Sequence, residues 1–166
     1  IKGYLPNLLW IGIPIGISLL LYQTHELSSK QVEIIVLQPN LDPYLEKYQL
    51  TNEQLLKMTE EISQDYLSSS TDYLLTPEGF LDEGTGFNLS NYKVGPFYLA
   101  LKRFSAKYPR LSLVTGAQSY RLYPPSKEIP SPTANAIQSG GWYDVYNSVF
   151  QFENEQADQL YHKSKL

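Results

Sequence analysis

No cysteine occurs among the 166 residues. That excludes disulfides, thiolate metal sites and a thiol nucleophile drawn from these residues. Histidine is nearly as scarce, with only His25 and His162. A zinc site would need carboxylate help, and no group has ligand spacing, so neither a metal nor a cofactor is expected. Positive charge is in deficit: 13 Lys+Arg against 17 Asp+Glu leave a net charge of −4. The basic side chains are scattered, so no stripe exists to neutralise phosphates and nucleic acid is not an expected partner. A polybasic membrane patch is missing for the same reason. Repeats and low-complexity segments are absent too. Tyrosine, by contrast, is abundant, with 14 residues, which suits strands and surfaces that meet lipid headgroups or ligands.

The first apolar run covers residues 4–22 and is interrupted only by Asn7 and Ser18. About 19 residues of helix nearly match a hydrocarbon core of ~30 Å, so the run is expected to be a transmembrane helix. Tyr4, Trp10 and Tyr22 suit the interfaces. Gly12, Pro14 and Gly16 are tolerated in membrane helices, where neighbours support the backbone. A signal peptide would need a basic flank and a small-residue cleavage site, but only Lys2 precedes the run and no such site follows it. Residues 23–31 read as a polar linker.

From residue 32 the pattern is α/β. Val32-Glu33-Ile34-Ile35-Val36-Leu37 is a β-branched strand ended by Gln38-Pro39-Asn40. Residues 41–50 form a loop rich in turn formers and aromatics. Thr51 and Gln54 make a capping box for a helix whose apolar positions are Leu55, Met58, Ile62 and Tyr66. A short buried strand at residues 73–76 precedes a glycine- and asparagine-rich loop at 82–91. A second amphipathic helix spans 96–108 and a strand 111–119. A proline-rich excursion covers 124–132, and strands at 143–152 and 159–163 form a hairpin. Strand–helix–strand–helix–strand followed by a hairpin predicts an α/β domain with a mixed sheet.

Two charged residues stand in apolar surroundings. Glu78 follows Pro77 at the carboxyl end of a strand, where α/β folds place their sites. A solvated turn carboxylate is the plainer reading of a lone Pro-Glu. Lys163 shares one strand face with Tyr161 and Lys165, leaving His162 and Ser164 on the other. Lysines also guard exposed sheet edges, which is the plainer reading there. The final strand has no turn signal behind it, so the sequence is expected to continue past Leu166 as part of a larger enzyme.

Gln38-Pro39-Asn40, Thr76-Pro77-Glu78, Thr115-Gly116-Ala117, Tyr146-Asn147-Ser148 and Tyr161-His162-Lys163-Ser164-Lys165-Leu166 occur in the order of the nitrilase (carbon–nitrogen hydrolase) superfamily. The chain most resembles its apolipoprotein N-acyltransferase family, over residues 32–166. That resemblance implies the N-terminal part of an αββα sandwich with a Glu-Lys-Cys triad, truncated before its cysteine. Glu78 falls on the general base and Lys163 on the lysine that stabilises the oxyanion. Lys165 is the rival on the same strand face, but the family's Tyr-x-Lys pattern selects Lys163. The nucleophilic cysteine is not in this chain.

The chemistry explains those residue types. A thiol is mostly protonated near neutral pH, and a partly desolvated carboxylate with a raised pKa can accept its proton. A lysine donor then stabilises the tetrahedral oxyanion. The implied reaction moves an acyl chain from a phospholipid to the cysteine and then to the N-terminal diacylglyceryl-cysteine of an apolipoprotein. The implied partners are therefore the phospholipid donor, the lipidated acceptor and the membrane. The implied location is the inner membrane, multi-pass, with the domain periplasmic and residues 41–48 as an apolar-aromatic lip. Tryptophan is common after the lip's lysine in that family, where this chain has Tyr48, and no role is assigned to it. Two other readings stay open: an amidase of the same superfamily acting on a small carbon–nitrogen substrate, and a catalytically dead membrane-anchored binding module.

Overall fold

A computed structural model describes residues 5–25, 31–42, 44–82, 84–126, 128–154 and 157–164. The chain divides into two compact units, Ile1–Gln31 and Val32–Leu166. In the first, α1 runs continuously over Leu5–Thr24 with Pro14 inside it. Its large apolar side chains are exposed all round. The expected transmembrane helix over 4–22 is nevertheless corrected: among the described residues no helix is long and apolar enough to cross a membrane. Tyr4 lies outside the described residues. Asn7 and Gln23 bracket the remaining apolar stretch, whose helical rise of about 22 Å is short of a ~30 Å core. The multi-pass arrangement accordingly finds no support here.

The second unit is α/β with a mixed sheet. Seven strands are described: β1 (Ile34–Val36), β2 (Tyr73–Leu75), β3 (Phe87–Asn88), β4 (Ser112–Tyr123), β5 (Asn135–Ala136), β6 (Trp142–Phe152) and β7 (Gln159–His162). They lie in the order β1-β2-β4-β6-β5, with β3 beside β4 and β7 beside β6. The β1/β2, β2/β4 and β3/β4 pairs are parallel. The long β4/β6 pair and the β6/β5 and β6/β7 pairs are antiparallel. Two helices, α2 (Asn52–Ser63) and α3 (Pro96–Ala106), precede β2 and β4 respectively.

Strand alternation sends one set of side chains under the helices. Leu74, Leu113, Thr115, Ala117, Phe150 and Phe152 are buried on that face, and Leu55, Leu56, Leu101 and Phe104 of the two helices are buried in the same core. Burying a Leu or Phe of this kind stabilises by roughly 1.5–3 kcal/mol. The opposite face carries Ile34, Val36, Val149 and Tyr161, all exposed. The described residues therefore form one sheet with helices on one face, not the two facing sheets of an αββα sandwich. The sheet of that expectation is present; the second β layer is not.

The capping box forms as the residues suggest. Gln54 N donates to Thr51 Oγ1 at 3.2 Å, and Thr51 N donates to Gln54 Oε1 at 2.8 Å. The buried stripe of α2 is different from the apolar spacing. It holds Leu55, Leu56, Thr59 and Ser63, while Ile62 and Tyr66 are exposed. Thr59 and Ser63 donate to the carbonyls of Leu55 and Thr59, at 2.9 and 2.6 Å, so their hydroxyls enter the core already satisfied. α3 starts with Pro96 at its first turn, where the missing amide costs nothing. It stops before Pro109, the residue that cannot continue it.

Candidate active site

β2 delivers the segment Thr76-Pro77-Glu78-Gly79 to its carboxyl end. Thr76 Oγ1 donates to Thr115 Oγ1 at 2.7 Å, Thr76 N to Val114 O at 2.9 Å, and Leu81 N to Gly116 O at 2.9 Å. Gly116 has to be glycine at this point. A Cβ there would sit 2.5 Å from Gly79 N, 2.6 Å from Pro77 O and 2.7 Å from Glu78 Cα. The turn carrying Glu78 thus rests directly on the backbone of β4, and Gly79 completes it with φ of +57°.

Two strands bring partners to Glu78. Lys163, one residue past β7, donates from Nζ to Glu78 Oε1 at 2.8 Å across 85 residues of sequence. Asn147 of β6 donates from Nδ2 to the same oxygen at 2.5 Å. Lys163 N also donates to Asn147 O at 2.9 Å, which fixes the lysine beside the asparagine. Both donors reach Oε1, so Oε2 has no donor among the described residues. The Lys163 and Glu78 side chains are 49% and 65% exposed.

That exposure corrects one expectation. Glu78 is not a desolvated carboxylate with a raised pKa: the hydrogen bond from Lys163, then that from Asn147, then the lysine's charge hold it below the usual glutamate range. Burial, the opposing influence, is slight. As it stands the group is a stabilised anion with one open oxygen, poised to pair with a cation or accept a hydrogen bond.

A cavity of about 340 Å³ opens beside it, lined by Gln38, Pro39 and Asn40 together with Leu41, Lys47, Tyr48, Pro77, Glu78 and Phe80. Asn40 sits there at a φ of 53°, a left-handed conformation that asparagine tolerates. Smaller hollows adjoin it on either side of Asp82 and Gln118. Lys47 Nζ and Asp82 Oδ2 pair at 2.5 Å, each side chain only 16% exposed, and tie the 41–50 loop to the site. Tyr44, Leu45 and Tyr48 of that loop stay exposed. The described residues of the five sequence motifs thus converge toward one end of the sheet.

Three contributors were not assigned from sequence. Asn147 was quoted as part of a motif without a role; the β6/β7 hairpin pairing was the signal, because it sets residue 147 beside residue 163. Lys47 and Asp82 carry no spacing signal, being far apart in the chain. Lys165 lies outside the described residues. Among the described residues no group of His, Cys, Asp and Glu could hold a metal ion. No family model matches the chain, and no curated protein is significantly similar to it.

Proposed function

We propose that the Glu78–Lys163 pair belongs to an acyl-transferring enzyme of nitrilase type, acting on a phospholipid donor and a lipidated apolipoprotein N-terminus. The observation that carries this reading is the meeting of Glu78 and Lys163 beside a cavity at the carboxyl end of β2. In the reaction Glu78 takes the proton of a thiol through Oε2, and Lys163 turns its ammonium to the oxyanion of the tetrahedral intermediate. Asn147 keeps a donor on Oε1 when the lysine leaves it. The thiol is contributed by residues other than these 166, so the chain as given is inactive on its own. Expulsion of water by the bound acyl chain would weaken the solvation of Glu78 and strengthen it as a base. On this reading the domain works at the periplasmic surface of the inner membrane.

The test is transfer of a labelled acyl chain from phospholipid to the full-length protein and on to a diacylated lipopeptide. Glu78→Gln and Lys163→Ala are each expected to lower acylation about 100-fold or more, while Lys165→Ala keeps substantial activity. Full transfer by both of the first two variants would end the proposal. A dead Lys165→Ala with an active Lys163→Ala would mean that the register of the terminal strand is off by one face position. A membrane span was the feature separating acyl transfer from hydrolysis of a small amide, and the described residues do not provide it. The same pair serves both reactions, so small amides belong in the assay; hydrolysis of these without acyl transfer would select the amidase.

A further inference from the structure

His162 precedes Lys163 and points to the other face of the sheet. There its Nδ1 lies 2.8 Å from Ser148 Oγ, and Ser148 Oγ lies 2.6 Å from Ser119 Oγ. Ser119 and Ser148 are buried. The imidazole also stacks on Tyr146, with ring centroids 4.3 Å apart at 26°. Tyr146 is anchored in turn, donating from its hydroxyl to the buried Asp144 at 3.3 Å. The Ser148 hydroxyl, itself bonded to Ser119, and the Tyr146 ring therefore hold β7 at one residue, whereas the β6/β7 ladder covers only four. Burial, then the charge of Arg121, holds His162 below the usual histidine range, so the ring is neutral near neutral pH and its Nδ1 can accept from or donate to Ser148.

We propose that His162 is the positioning residue of Lys163: its bond to Ser148 and its stack on Tyr146 hold the last turn of β7 so that the lysine amine meets Glu78. Strand alternation makes this work, because a side chain locked on one face fixes the direction of its neighbour on the other. The lysine side chain itself is half exposed, and its backbone bond to Asn147 sets its place along the strand. This inference rests on the reading of Glu78 and Lys163 as the reacting pair, but its first test does not.

The test is a carbon-13 NMR titration of the glutamate carboxylates in the whole chain, comparing wild type with His162→Phe and His162→Asn. Phenylalanine keeps the ring and loses Nδ1; asparagine restores a polar atom near the Nδ1 position. In His162→Phe the Glu78 titration is expected to rise toward the ordinary glutamate value, and in His162→Asn to return most of the way to wild type. Glu33 serves as the control, because hydroxyls of Thr71, Ser70 and Ser68 hold it below the usual range at the opposite end of the sheet. A Glu78 titration unmoved in His162→Phe, or one that moves together with Glu33, overturns the proposal. In the full-length protein the same variant is expected to lower kcat about 100-fold with KM unchanged, as a misplacement of ~1 Å does. Absence of acyl transfer by the wild type would sink the functional reading and leave the titration result standing.

Discussion

Glu78 and Asp144 are both held as anions, and by opposite means. Glu78 is mostly exposed and relies on a cation and an amide. Asp144 is 1% exposed and, among the described residues, has no cation on its oxygens. Four hydroxyls donate to it instead, from Tyr123 at 2.8 Å, Ser131 at 2.7 Å, Thr133 at 2.9 Å and Tyr146 at 3.3 Å. Burial pushes its pKa up, and the hydroxyls together outweigh that and leave it below the usual aspartate range. The contrast separates two uses of one functional group. A carboxylate caged by hydroxyls cannot change partners without breaking the interior, so it serves as an anchor for the proline-rich excursion. A carboxylate in water with one open oxygen can exchange partners at little cost, which is what chemistry needs.

Breaking the anchor should have the largest effect on stability. Asp144→Ala strands several hydroxyls in a buried site and is expected to cost about 3 kcal/mol, read as a lower denaturant midpoint at unchanged slope. Gly116→Ala comes next, since its methyl group would collide with the backbone of residues 77–79. Overpacking of this kind costs about 1–3 kcal/mol, and here the displacement falls on Glu78. Proton-transfer activity of the full-length protein should fall more than stability does, and the reverse ranking would show that the turn carries no catalytic group. Lys163→Ala should have the smallest effect on stability, with a thermal midpoint close to wild type, because exposed ion pairs contribute little.

Acid sharpens the same comparison. Both carboxylates have depressed folded-state pKa values, so each contributes stability above its unfolded pKa and loses it as pH falls through the folded one. For Glu78 the loss should be visible only in the local titration. For Asp144 it should be visible in global unfolding below the usual aspartate range. Asp144→Asn should therefore be less stable than wild type near neutral pH, with the gap closing in acid. A gap that stays constant down to the lowest pH would mean that Asp144 has the same pKa folded and unfolded, so that the hydroxyl cage does not favour its anion.

The order of the longer elements was legible in the sequence because each carried a local signal. Thr51 and Gln54 marked the start of α2, and Pro96 that of α3. A β-branched run marked β1. Burial on α2 was less readable, since Thr59 and Ser63 enter the core by satisfying their own hydroxyls, which hydrophobic spacing does not register. β3 was hidden inside an expected loop because only two residues pair. The meeting of Glu78 with Lys163 was legible only through motif order, never through spacing. The state of Glu78 was not legible: Lys163 and then Asn147 hold its pKa down, and how far water still reaches it is a property of the folded surface. The apolar run at the amino terminus shows the opposite failure, a strong local signal for a span where no helix among the described residues is long and apolar enough to cross a membrane.

The turn joining β6 to β7 fixes the phase of the terminal strand. Lys102 reaches both ends of that turn, bonding the Glu153 carbonyl on one side and Asp158 Oδ1 at 3.0 Å on the other. Tyr98 adds a 2.6 Å bond to Asp158, and burial, with help from that bond, pushes the phenol up to about 12. With Asp158 pinned to α3, a residue inserted or deleted between Asp158 and His162 shifts the register of β7 by one. It would exchange the positions of His162 and Lys163, putting an ammonium among buried serines and an imidazole toward Glu78. In the excursion between β4 and β5 the constraint is a different one, that Ser131 and Thr133 still reach Asp144. Single-residue indels should thus be purged from residues 159–162, which a deep insertion–deletion library would reveal directly.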